Sequence, residues 1–252
     1  MHPALILGGA AVFLLASGGR KGSTFRSKKS SIRCPPLVPG AGHMAGYDYI
    51  EFATGGADLH ERLPIVFFFH SRGTRPEGLV KYLEGLSARA RVVMPKGNLG
   101  GTQPLWFELR AKTDDQIGLA DQMGAEAMSV VRFIEEANQC LMGVGRPVIT
   151  GHSQGGMMTF AVAAEAPGLV KAAIPVSGWL PVDLWPRSLP PTSAVHGTAD
   201  RTVDYARTAD FVERASKAGL PIELFPIEGS GHGLSGDLKS TWVNLVDDAV
   251  AS

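Results

Sequence analysis

The chain has 252 residues, with 24 Lys and Arg against 24 Asp and Glu. That length suits one α/β domain of roughly 200 residues plus an N-terminal extension. Zero net charge, with no basic face in the domain, argues against a nucleic-acid partner.

The N-terminus departs from the rest. Ala4 to Ala16 is apolar, and Arg20, Lys21, Arg26, Lys28, Lys29 and Arg33 follow with no acid before Asp48. The apolar run is short of the roughly 20 residues that a membrane span needs. Its leading end, Met1-His2-Pro3, lacks the positive charge of a secretory signal. A signal-anchor, an atypical signal peptide and an organellar leader all stay open, with membrane association through residues 4–19 or export; without them the chain is cytoplasmic. Residues 17–46 read as a flexible linker. The domain expectation is therefore 1–46 for the extension and 47–252 for the folded part.

Beyond it, apolar runs predict strands at Tyr47–Thr54, Leu63–His70, Ala90–Pro95, Pro147–His152, Val170–Ser177, Ser193–Gly197 and Ile222–Ile227. Helical patterns fall at Pro76–Ser87, Asp115–Asn138, Gln154–Glu165, Val203–Ala218 and Leu238–Val250. This alternation predicts an α/β fold with a mostly parallel central sheet and helices on both faces. No segment is long enough for a large lid domain. The loop Lys96–Thr113 and the Pro181–Pro191 stretch are the expected partial covers. Cys34 and Cys140 can pair, but two cysteines leave the redox compartment open. The histidines and cysteines show no metal-ligand spacing, so neither metal nor cofactor is expected.

Chemistry concentrates at Val148-Ile149-Thr150-Gly151-His152-Ser153-Gln154-Gly155-Gly156, an apolar strand entering a Gly-x-Ser-x-Gly turn before a small-residue helix. A sharp strand-to-helix turn exposes a serine hydroxyl, and the helix start offers unpaired N–H groups to negative charge. With 31 glycines in the chain, the motif alone is weak. A serine hydroxyl also needs a base, and the base an orienting acid. Asp200 lies on a loop past the strand that ends at Gly197, and His232 on a loop past the strand that ends at Ile227. Ser153, Asp200 and His232 thus all fall at C-terminal strand ends, where open α/β sheets place their sites. Asp204 is the alternative acid but falls inside a predicted helix. Asp200 has the plainer reading of a helix cap. His70, His152 and His196 precede the acid, so His232 is the base that fits the order.

These blocks resemble the phospholipase/carboxylesterase branch of the α/β-hydrolase superfamily, which includes acyl-protein thioesterases and small bacterial carboxylesterases. The resemblance runs from about Leu63 to the C-terminus. Phe67-Phe68-Phe69-His70-Ser71-Arg72-Gly73 matches the strand and oxyanion loop. Gly100-Gly101 with Leu105-Trp106-Phe107-Glu108-Leu109 matches the Gly-Gly…Trp-Phe segment. Gly151-His152-Ser153-Gln154-Gly155-Gly156, Ser177-Gly178-Trp179-Leu180-Pro181, His196-Gly197-Thr198-Ala199-Asp200 and Gly231-His232 complete it. The resemblance implies an α/β-hydrolase fold and a serine esterase. Ser153, His232 and Asp200 would act as nucleophile, base and acid, with the backbone N–H groups of Gln154 and Arg72 as the oxyanion hole. It places Trp106 and Phe107 at the acyl or alcohol pocket; Trp179 joins them by its position after a strand. Core packing or a partly exposed loop position reads equally well for all three. The substrate would be a small-molecule or lipid ester, and oligomeric state is left open. A polyester depolymerase, a peptidase and a low-turnover binding module are the competing readings. One departure stands out: the family has His-Gly where this chain has His70-Ser71, and serine lacks glycine's conformational freedom.

Overall fold

The computed structural model describes residues 34–109 and 116–252. The apolar segment 4–19, the basic residues through Arg33 and part of the expected covering loop lie outside them.

Among the described residues, eight strands form one sheet in the order β1-β2-β4-β3-β5-β6-β7-β8. They are β1 (Ala41–Met44), β2 (Tyr47–Ala53), β3 (Ile65–Phe69), β4 (Arg91–Pro95), β5 (Val148–His152), β6 (Ala172–Val176), β7 (Thr192–Gly197) and β8 (Ile222–Ile227). Every pair from β4 to β8 is parallel, whereas β1–β2 and β2–β4 are antiparallel. The expected mostly parallel α/β sheet is therefore present. Its centre is built from β3, β4 and β5, whose residues are all buried. Strands covered on both faces read as unbroken apolar runs, as Ile65-Val66-Phe67-Phe68-Phe69 does.

Alternate residues of β3 feed two cores. Ile65, Phe67 and Phe69 meet α2 (Gln116–Cys140), α3 (Gln154–Glu165) and α4 (Tyr205–Lys217) on one face. Val66 and Phe68 meet α1 (Val80–Leu83) and α5 (Gly236–Ala251) on the other. Met123, Ala127, Val130, Ile134 and Ala137 of α2 recur at helical spacing and bury as one stripe. On the opposite face Leu238, Trp242, Val246 and Val250 of α5 do the same. The Trp242 indole N–H donates to Thr150 Oγ1, at 2.8 Å, beneath β5.

Three expectations need correction. The linker expected over 17–46 is structured at its end: β1 pairs with β2 from Ala41↔Ile50 to Met44↔Tyr47. Four residues with a central glycine are too short to show strand alternation. The helix expected at Pro76–Ser87 shrinks to a 3-10 turn (Pro76–Leu79) and the four residues of α1, since Gly78 and Gly85 weaken helix on either side. Asp204 lies outside α4 rather than within it, as the N-cap that accepts from the Ala206 N–H.

Among the described residues, no helix is long and apolar enough to cross a membrane. Cys34 and Cys140 form a disulfide with a Cα–Cα distance of 5.4 Å and a sequence separation of 106. It fastens the start of the described chain to the last residue of α2. Crosslinks over loops this long typically contribute about 2–5 kcal/mol by restricting the unfolded chain. Replacing both cysteines by serine is expected to lower the urea midpoint and to steepen its slope as the unfolded chain expands, and dithiothreitol to do the same to the wild type. A midpoint indifferent to both would refute the crosslink.

Candidate active site

The site starts from a backbone constraint. Between β5 and α3 the chain turns at Ser153, whose φ is 59°. This conformation is costly for a residue with a β-carbon, and the surrounding structure must enforce it. The Ser153 N–H donates to Val176 O at 2.9 Å, which locks the turn to the end of β6. Gly155 lies against the Phe69 carbonyl and Gly156 against that of Val176, so closely that a β-carbon on either would collide with backbone. Helix α3 thus presses its first turn onto the ends of β3 and β6. Gln154 is its first residue, and its N–H has no acceptor within the helix.

One hydrogen-bond chain joins three of the residues expected from sequence. His232 Nε2 lies 2.9 Å from Ser153 Oγ, and His232 Nδ1 lies 2.7 Å from Asp200 Oδ2. A carboxylate only accepts, so Nδ1 carries the proton and Nε2 is left to accept from the serine. Asp200 is buried. Its Oδ1 accepts the N–H groups of Thr202 and Val203, at 2.8 and 3.0 Å. Burial alone would raise this carboxyl. The hydrogen bonds from His232, Val203 and Thr202 outweigh it and hold the group below the ordinary Asp value.

A second histidine meets the same carboxylate. His196 Nε2 lies 3.1 Å from Asp200 Oδ2 and from Val203 O, and Nδ1 lies 3.0 Å from Thr208 Oγ1. Thr208 in turn donates to Gly178 O at 2.6 Å. Sequence reasoning rejected His196 as the base but missed it as a partner of the acid. The available signal was the His-Gly-x-x-Asp spacing across one strand end.

The loop after β3 is held as firmly. His70 is fully buried and stacks on Trp106 with ring centroids 4.7 Å apart. Gly97 N–H donates to its Nε2 at 2.9 Å, so Nδ1 bears the proton that Ser71 O accepts at 2.8 Å. The Trp106 indole N–H donates to His70 O at 2.9 Å. Ser71 is not among the residues with positive φ, so this backbone does not require glycine there. Its Oγ lies 2.8 Å from His152 Nδ1. Arg72 follows on the loop with its side chain exposed, and within the described residues its N–H meets no acceptor.

The expected pocket aromatics separate. Trp106 and Phe107 are each 1% exposed and belong to the core, so they cannot present their rings to a ligand as pocket walls. The Trp106 ring packs against Tyr47 and edge-on to Phe69. The backbone of Trp106 and Phe107 has a different use: Gln154 Oε1 accepts from the Trp106 N–H at 3.1 Å, and Gln154 Nε2 donates to Phe107 O at 2.7 Å. Trp179 is half-buried, and the Arg207 guanidinium lies 4.8 Å over its ring. Among the described residues, no three His, Cys, Asp or Glu side chains are grouped to hold a metal ion. Chemically, the arrangement offers a hydroxyl beside an oriented imidazole, at a helix start with an unpaired N–H.

Known proteins share these features. The sequence model of the phospholipase/carboxylesterase family matches residues 66–239. Esterase YpfH of Escherichia coli (strain K12) is 26% identical over 186 residues, covering 68% of this chain and 76% of that protein. Acyl-protein thioesterase 1 of Mycosarcoma maydis is 29% identical over 180 residues, covering 59% and 75%. Among solved structures, esterase PE8 aligns with a TM-score of 0.68 at 20% identity, covering 81% of this chain and 99% of that one. The Bacillus cereus carboxylesterase aligns with a TM-score of 0.63 at 17% identity, covering 81% and 94%. These structures share the α/β-hydrolase fold.

Burial around the site has a pH consequence. It lowers His70 and His152 from 6.5 to about 4. Between those values the unfolded chain binds more protons than the folded one, so stability falls as pH drops. Every tenfold loss of proton affinity on folding is worth about 1.4 kcal/mol per histidine. The melting midpoint is expected to decline from about pH 6.5 downward, above the range where carboxylates titrate. A midpoint flat between about pH 6.5 and 4.5 would contradict this.

Proposed function

We propose that this chain, which belongs to the phospholipase/carboxylesterase family, is a serine hydrolase that cleaves carboxylic esters, thioesters included, through an acyl-enzyme. The observation that carries the reading is the unbroken chain from Ser153 Oγ through His232 to Asp200.

In this mechanism His232 Nε2 takes the Ser153 proton as Oγ bonds to the ester carbonyl carbon. The carbonyl π electrons move onto oxygen, and the backbone N–H groups of Gln154 and Arg72 stabilise that oxyanion. Asp200 keeps the imidazole in the required tautomer and stabilises its charged form. The oxyanion collapses, the bond to the alcohol or thiol breaks, and His232 returns its proton to the leaving group. Water then adds to the acyl-serine with the same base, releasing the acid. Each step uses side chains already in hydrogen-bond contact, so little reorganisation is required.

An alcohol or thiol leaves more readily than an amine, so esters and thioesters ask less of the base than amides do. Esterase YpfH and acyl-protein thioesterase 1 carry those activities in their names. The carbamate hydrolase reading rests on partial matches covering 38% of this chain and ranks behind. Peptidase activity is separated by the anilides of the test below, and polyester cleavage by adding a polyester suspension to it. We also infer that the domain folds in an oxidising compartment, from the Cys34–Cys140 disulfide.

The test is fluorophosphonate labelling together with turnover of p-nitrophenyl esters, thioesters and anilides of matched acyl length. Wild type is expected to label and to favour esters and thioesters over anilides. Ser153→Ala should abolish labelling, and Ser153→Ala or His232→Ala should lower turnover by about 1000-fold or more. Asp200→Asn should lower kcat by about 10000-fold by removing the acceptor that sets the imidazole tautomer. Labelling that survives Ser153→Ala would overturn the assignment.

A further inference from the structure

We propose that Ser71 and His152 form a positioning pair that ties the oxyanion loop to the loop carrying the base and holds both in register around Ser153. The inference rests on the serine-hydrolase reading above.

The pair is a directed chain. His152 Nε2 lies 2.7 Å from His232 O, and a carbonyl only accepts, so Nε2 carries the ring proton. That leaves Nδ1 as an acceptor, and the Ser71 hydroxyl donates to it at 2.8 Å. The sequence is Ser71 Oγ–H to His152, then His152 Nε2–H to the backbone of His232. The two imidazoles also pack against each other, with centroids 4.8 Å apart. His152 is 7% exposed, and its own backbone is fixed in the sheet opposite Val176.

The placement gives the pair its consequence. Ser71 follows β3 and His232 follows β8, and β5, β6 and β7 lie between those strands. No backbone ladder joins the two loops. One imidazole, standing beside the nucleophile on β5, reaches both. The loop on the Ser71 side carries the Arg72 N–H that receives the oxyanion, and the loop on the other carries the base. Catalysis needs both at fixed positions relative to one carbonyl group. The chain's departure from the family's His-Gly thus supplies the one donor that His152 Nδ1 has among the described residues. Without it, a buried acceptor is left unpaired, and the ring loses the contact that fixes its rotation. Ser71 is not a second nucleophile in this scheme: burial lowers its partner His152 to about 4, which makes that ring a weak base at neutral pH.

The test is a double-mutant cycle in the full chain with p-nitrophenyl butyrate, reading kcat and KM separately, and a melting curve for each variant. Ser71→Ala and Ser71→Gly are expected to lower kcat by roughly tenfold with KM changed less than about twofold, because alignment and not binding is lost. Ser71→Thr keeps the hydroxyl and should recover most of kcat. His152→Phe removes the relay, and adding Ser71→Ala to it should cost nothing further, since the two act through one path. Multiplying losses, or Ser71→Ala with wild-type kcat, overturn the proposal. If His152→Phe does not fold, the contrast of Ser71→Ala with Ser71→Thr decides alone: recovery by threonine supports the pair, and equal loss overturns it. Ser153→Ala runs beside them. Turnover surviving in that variant would defeat the serine-hydrolase reading itself, whereas its loss beside an unimpaired Ser71→Ala defeats only the pair.

Discussion

The first turn of α3 approaches the ends of β3 and β6 at distances that exclude any β-carbon, and most of the site follows from that contact. Gly155 and Gly156 press on the carbonyls of Phe69 and Val176. The approach forces the chain through a positive φ at Ser153 and lifts its hydroxyl clear of the sheet. It also brings the unpaired N–H of Gln154 to the same face. A single larger residue in this layer would push the helix outward, and hydroxyl and N–H would move together. The strain at Ser153 persists because β3 and β5 are packed by a core on each face and α3 is packed into one of them.

Electrostatics then divides the polar groups between fixed and reactive duties. Asp200 spends one oxygen on the backbone of its own loop and the other on two imidazoles. Its charge is consequently held by the fold before any substrate arrives. His70 and His152 are kept neutral by burial and serve as directional connectors, each with a donor on one nitrogen and an acceptor on the other. Of the four histidines grouped here, His232 alone contacts the serine hydroxyl. Three neutral or carboxylate-bound rings thus act as scaffold for a fourth.

Much of this was legible in the sequence, for identifiable reasons. Strands buried on both faces are apolar almost throughout, so β3, β4 and β5 announce themselves. The Gly-x-Ser-x-Gly turn is legible because close approach leaves no alternative to glycine. Loop positions of Asp200 and His232 follow once strand ends are known. What escaped depends on contacts between distant residues. β1 is four residues long and owes its existence to pairing with β2. Trp106 and Phe107 read equally well as pocket or core, since an aromatic side chain is large and apolar in both places. The Cys34–Cys140 pairing spans a separation of 106, and the Ser71–His152 bond one of 81. No local pattern encodes either: the sequence allows the first without requiring it, and the second arises from the order of strands in the sheet.

The Gln154 side chain has a consequence for how this family of loops can vary. Its amide presents one acceptor and one donor to a consecutive N–H and C=O, those of Trp106 and Phe107. It addresses the loop as a neighbouring strand would, reading polarity along the backbone and not the identity of the side chains. Moving the loop backbone off Gln154 would leave the amide and the two backbone groups unpaired in a buried setting. Changes of length between Leu99 and Leu105 are compatible with this contact only while they leave the Trp106 and Phe107 backbone against Gln154. In effect the residue after Ser153 holds the backbone of a loop 48 positions upstream, and the loop is freer to vary where that contact is not made.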